Sequence, residues 1–107
     1  MTFSFPRRRI GFLLAVVFDL TAASAFAADA NRGEELARRW CSSCHVVHAD
    51  QKSAVIEAPP FETIARRPDF NTEAIAMFLQ DPHPKMPDMG LSRDAAADLA
   101  AYIATLR

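Results

Sequence analysis

The chain has 107 residues and a mass of 11.8 kDa, with 50% hydrophobic and 23% charged residues, which fits one small domain and excludes a disordered or fibrous polypeptide. A formal charge of −1 and a pI near 6.3 give nucleic-acid binding no electrostatic support. Three glycines and seven prolines argue against a glycine-rich phosphate loop, and two cysteines exclude a disulfide scaffold.

The first predicted element is a secretory signal over residues 1–27. Arg7, Arg8 and Arg9 precede an apolar run over 10–20, and small residues follow, ending in Ala25, Phe26 and Ala27. That layout places cleavage after Ala27. The run is too short to span about 30 Å of hydrocarbon, and Asp19 interrupts it. The expected product is an exported, periplasmic protein with no stable membrane insertion, anchored only if the segment is retained. It is expected to be monomeric. The domain over 28–107 keeps nine basic and twelve acidic side chains, a formal charge of −3. Eighty residues seldom bury enough apolar surface alone, so a disulfide, a metal or a large ligand is expected to help fill the core.

Four helices are predicted in that domain, and no stretch alternates long enough for a strand. The first is capped by Asp29 or Asn31, presents Gly33, Leu36, Ala37 and Trp40 on one face, and runs into Cys41. The second is short and follows Pro59 and Pro60, with Phe61, Ile64 and Ala65 inward. The third opens at Asn71 or Thr72, carries Ile75, Phe78 and Leu79 on its apolar face, and ends at Asp81 and Pro82. Met77, beside Phe78, is read as packing. The fourth opens at Ser92 with Asp94 in its first turn, and its stripe is Ala96, Leu99, Ile103 and Leu106 with Tyr102 on the flank. Between them lie a long irregular loop over 46–60 and a stiff one over 81–89 that holds Pro82, Pro84 and Pro87.

The chemistry sits at Cys41-Ser42-Ser43-Cys44-His45, the C-x-x-C-H signature of c-type haem attachment. Two thiols spaced on one tightening turn span the two vinyl groups of a porphyrin edge. The next residue lies under the ring plane, where His45 can reach the iron. A disulfide across two residues would stabilise little. A thioredoxin-like pair would need strands, and a zinc site would need a second paired motif. The second axial ligand is sought among His48, His83, Met77, Met86 and Met89. His48 stands on the same side of the ring as His45 and is read as a solvated loop histidine. Met86 is braced by Pro84 and Pro87, which holds a soft thioether at low entropic cost. Met89 is read as a lid over the ring edge. His83 is the rival, since imidazole is the stronger ligand for ferric iron.

With these parts the chain resembles a small bacterial class I cytochrome c over nearly all of 33–106. The likeness rests on Gly33 and Leu36 ahead of CSSCH, the Pro-Pro-Phe stretch, the KMPDMGLS loop and DLAAYI in the last helix. It implies an all-α cytochrome c fold, three to four helices around one covalently bound haem. It implies Met86, five residues before Leu91, as the sixth ligand, and Pro59 as the carbonyl that accepts the His45 N–H. It also implies a helix seam built from a glycine and an aromatic pair. Gly33, Leu99 and Tyr102 match, but Ala37 stands where an aromatic is expected, and Trp40 is the candidate for the missing bulk.

The function implied is one-electron transfer between redox partners, a respiratory complex or a dehydrogenase, and not enzymatic catalysis. The ring is expected to lie among Leu36, Trp40, Phe61, Ile75, Phe78, Leu79, Leu99 and Ile103. Mitochondrial relatives dock through a lysine-rich face, whereas Lys52 and Lys85 are the only lysines here, so weak salt dependence is expected, with Lys85 beside Met86 aiding docking. Two other readings are a haem-based gas sensor, whose sixth ligand would leave, and a cytochrome subunit of a periplasmic dehydrogenase.

Overall fold

The protein is represented by a computed structural model, which describes residues 1–2, 27–54, 58–82 and 84–107. Nearly all of the expected signal segment, and His83, lie outside the described residues. Four helices follow in order: α1 (Ala30–Trp40), α2 (Phe61–Ala65), α3 (Thr72–Gln80) and α4 (Arg93–Ala104). Among the described residues there is no strand, and no helix is long and apolar enough to cross a membrane.

Each long helix starts where a side chain can satisfy its first free N–H groups. Asp29, rather than Asn31, caps α1 by accepting from the amides of Asn31 and Arg32. Asn71 does the same for Ala74, and Ser92 for Ala95. The five-residue α2 has no side-chain cap and begins directly after Pro60, which stands in extended backbone as its N-cap.

The core gathers on α4. Ala96, Leu99, Tyr102 and Ile103 pack with Ala37 of α1, Phe61 and Ala65 of α2, and Leu79 of α3. The closest seam is between α1 and α4. A Cβ built on Gly33 would fall 2.0 Å from the Asp98 carbonyl oxygen and 2.8 Å from the Tyr102 Cβ, so only glycine permits the approach. The seam is also tied by polar groups. The Asp29 amide donates to Asp98 Oδ1 at 2.7 Å, and the buried Tyr102 hydroxyl ties α4 to the loop after α1 by donating to the Val47 carbonyl at 2.7 Å.

Three expectations are corrected here. Met77 does not pack: its side chain stands 71% exposed, because two residues along a helix is about 200° of rotation, which sets it opposite the buried Leu79. Trp40 does not fill the α1/α4 seam. It is 48% exposed, while Ala37 is fully buried, so close approach over small residues replaces the aromatic bulk. Tyr102 is buried rather than flanking, because it lies under Gly33.

Candidate functional site

The site is a cleft of about 530 Å³, within the size range of small-molecule and cofactor pockets. The end of α1 supplies Trp40 and Cys41. The turn after it supplies Cys44 and His45. The segment before α2 supplies Pro59, and the proline-rich loop supplies Met86 and Met89. Its apolar walls include Phe61, Ile75, Phe78, Leu79 and Ile103. Of the eight apolar residues expected around the ring, Leu36 and Leu99 are not on the wall.

The two thiols share one turn because the helix does not stop cleanly. The Cys41 amide donates to Ala37 O at 2.9 Å, and the amides of Cys44 and His45 return to Cys41 O at 3.1 and 2.8 Å. Cys41 and Cys44 are not joined by a disulfide. Burial pushes the Cys41 thiol up to about 11, with the neighbouring Cys44 adding to the shift, so it stays uncharged at neutral pH.

His45 Nδ1 lies 2.7 Å from the Pro59 carbonyl oxygen. A carbonyl only accepts, so Nδ1 donates its hydrogen, which in the neutral ring leaves the lone pair on Nε2. The ring also leans on Phe61, with centroids 5.3 Å apart. Pro59 is delivered there by the loop: the Phe61 amide donates to Val46 O at 3.0 Å, which lays the segment before α2 against the chain leaving the motif. Met86 is half-buried on the same cleft, and its loop closes at Gly90, whose φ of +62° is the left-handed backbone that suits glycine. The Asp88 carboxylate accepts the Gly90 amide at 2.8 Å.

Sequence reasoning passed over Gln51. Its side-chain amide donates to the carbonyls of Ser42 and His45, both at 2.9 Å, and its oxygen accepts the Val47 amide at 2.9 Å. One glutamine thus pins both ends of the turn that carries the thiols and the imidazole. Nothing local marked it, since all of its long partners are backbone groups. Gln51→Leu, similar in size, is expected to cost about 2 kcal/mol by leaving these groups unpaired. The check is hydrogen exchange at the Val47 amide, expected to accelerate; unchanged exchange would show that the turn holds itself.

Arg67 was also missed; it lines the cleft with Lys85, and its Nε lies 3.3 Å from Asp69. His48 is not a solvated loop residue. It is half-buried, with Nδ1 against Asp50 and Nε2 3.4 Å from Glu34. That pairing is the leading cause holding the Asp50 carboxyl below its ordinary range. Among the described residues, no three or more His, Cys, Asp or Glu side chains gather where they could hold a metal ion.

Comparison with known proteins adds three findings. The family described as "Cytochrome C oxidase, cbb3-type, subunit III" matches residues 28–103. Cytochrome c-552 of Bradyrhizobium diazoefficiens is 53% identical over 97 residues, covering 91% of this chain and 93% of that protein. A crystal structure of a cytochrome c2 mutant superposes with a TM-score of 0.47 and 19% identity, covering 73% of this chain and 97% of that one.

Proposed function

This chain belongs to the cytochrome c family described as cbb3-type cytochrome c oxidase subunit III, and from that premise we propose that it carries single electrons between redox partners in the periplasm. Membership implies a covalently bound c-type haem with iron. The residues present fit that group: two thiols, an imidazole with a free Nε2 lone pair and a thioether line one largely apolar cleft. This convergence is the observation that carries the reading.

Cys41 and Cys44 would hold the porphyrin edge through thioethers, and His45 Nε2 and the Met86 sulfur would hold the iron. When bound, the haem supplies an iron that cycles between ferric and ferrous states, one electron at a time. The Pro59 carbonyl orients His45 by accepting from Nδ1. A methionine ligand favours the ferrous form relative to a second imidazole, and so raises the potential. Phe61, Leu79 and Ile103, all buried, exclude water and disfavour extra positive charge in the cleft. Pro84 and Pro87 restrict the loop that carries Met86, which would hold its thioether toward the cleft and oppose its departure from a bound iron. Lys85, on the rim beside Met86, aids docking, and two lysines in a net acidic domain keep the salt dependence of association weak. Export after cleavage at Ala27 places the carrier where a respiratory complex or a dehydrogenase would meet it.

The experiment is a visible spectrum of the oxidised, matured protein. A weak far-red band, the mark of methionine bonded to haem iron, is expected in the parent, absent in Met86→Ala and retained in Met89→Ala. The midpoint potential of Met86→Ala is expected to fall. Survival of the band in Met86→Ala would overturn the ligand assignment. Carbon monoxide is expected to act slowly on the ferrous parent; a rapid spectral change would favour a gas sensor instead. Stoichiometric co-purification with an oxidoreductase would make the chain a dehydrogenase subunit rather than a free carrier.

A further inference from the structure

Asp98 is the one buried charged residue in the core of the described chain, 4% exposed, and the electron-transfer reading gives it no part. It sits on α4 against the start of α1, where its Oδ1 accepts the Asp29 amide at 2.7 Å. Its Oδ2 is buried and accepts no hydrogen bond. The Arg32 guanidinium forms an ion pair with it, Nε lying 3.2 Å from Oδ2, from an arginine side chain that is 59% exposed. An ionised carboxylate has room for about four donors, and this one has a single bonded donor. A buried carboxylate with one hydrogen-bonded donor and one largely exposed cation beside it can still take a further cationic donor.

The chain itself can supply one. Successive backbone nitrogens are at most about 3.7 Å apart, so the Ala28 nitrogen lies within about 6.5 Å of Asp98 Oδ1, given the 2.7 Å bond from Asp29. While residue 27 is attached, that nitrogen is a peptide N–H with one hydrogen and no charge. Hydrolysis of the bond between Ala27 and Ala28 by a signal-processing peptidase adds one water. It leaves a carboxylate on Ala27 and an ammonium with three donors on Ala28.

We infer that Asp98 is a binding site for the α-ammonium of Ala28 that cleavage creates, so that processing locks α1 onto α4. The inference rests on cleavage after Ala27. Before cleavage the seam lacks this pair, so the exported domain is less stable attached to its leader than after release. The charged and titratable groups around the pair are Asp29 and Arg32 on the α1 side, with Asp94 one turn before Asp98 and Tyr102 one turn after it on α4. The sign of the pH dependence follows from the ammonium. An ammonium paired with a carboxylate is expected to titrate above the ordinary range of about 7.7–8.0, so the stabilisation is expected in full below that range and is lost as pH rises through the raised value.

The test uses full-length chain, exported and matured with its haem. A parallel chain carries Ala-Gly-Ser inserted after Ala27, so that cleavage at the same bond leaves the ammonium three residues further out. Mass spectrometry reads the first residue. NMR titration reads the pKa of the α-amino group, and thermal melts are run at about pH 6 and about pH 10. The expected result is a start at Ala28 and a raised α-amino pKa. The extended chain should melt about 4–8 °C lower at the acidic pH, with the gap closing at the alkaline one. Asp98→Asn should erase the difference between the two chains. A start at Ala28 with an ordinary α-amino pKa, or equal melting of the two chains at the acidic pH, overturns the inference alone. A start at another residue overturns the cleavage reading and the inference with it. If Asp98→Asn does not fold, the titration of the parent still decides.

Discussion

Gly33→Ala is expected to destabilise the protein by about 3 kcal/mol, lowering the melting temperature by roughly 12–24 °C in a domain of this size. Helix propensity alone gives the opposite sign, since alanine in a helix interior is favoured over glycine by about 1 kcal/mol. The packing term wins because of what the methyl group meets. It would lie 2.0 Å from the Asp98 carbonyl oxygen, 2.6 Å from its carbon and 2.8 Å from the Tyr102 Cβ. Two of those atoms are backbone inside α4 and the third is fixed to it, so no rotamer change relieves the clash. The helices must separate, which also stretches the Asp29 to Asp98 hydrogen bond. A thermal melt followed by circular dichroism checks this. A variant as stable as the parent would show that α1 and α4 do not meet as closely as described.

Replacing both thiols, Cys41→Ala with Cys44→Ala, is expected to remove the covalent pigment and with it the folded domain. Any haem held through His45 and Met86 alone should come away when the protein is denatured, whereas the parent should keep its colour. The structural consequence scales with the cleft. At about 24 cal/mol per Å³, an enclosed void of 530 Å³ would cost on the order of 13 kcal/mol. Water entering the open side spares part of that cost, but the figure is comparable with the whole stability of a small domain, about 5–15 kcal/mol. The variant freed of haem is therefore expected to lose most of its helical circular dichroism and its cooperative melt. A haem-free chain that kept both would show that the four helices hold their arrangement unaided.

Much of the architecture was legible because the signals are local. Asp29, Asn71 and Ser92 announce helix starts within a few residues of the amides they cap, and Pro60 and Pro82 punctuate the chain where α2 begins and α3 has ended. The spacing of Cys41, Cys44 and His45 names a chemistry without any tertiary information, because one helical turn sets their separation. The stripe on α4 likewise follows from its 3.6-residue period, and Leu99 and Ile103 are among the most deeply buried side chains.

Other features depended on partners distant in the chain. Periodicity shows which residues share a face of a helix, but not which neighbour covers that face. Met77 and Trp40 look as core-like as Leu79 in one dimension, and the fold leaves both at the surface. The demand for an aromatic near Ala37 vanishes because Gly33 lets two backbones touch, a distance no pattern of apolar residues encodes. Gln51 and Asp98 carry ordinary polar side chains in sequence. Their significance comes from backbone groups that folding brings to them, Ser42 and His45 for one and Asp29 for the other, the last 69 residues away along the chain. Composition, caps and motif spacing thus fixed the helices and the chemistry of their junction, since each acts within a turn or two of backbone. Helix separation, the exposure of each apolar side chain and the pairing of buried polar groups came from packing, since they are properties of two surfaces in contact.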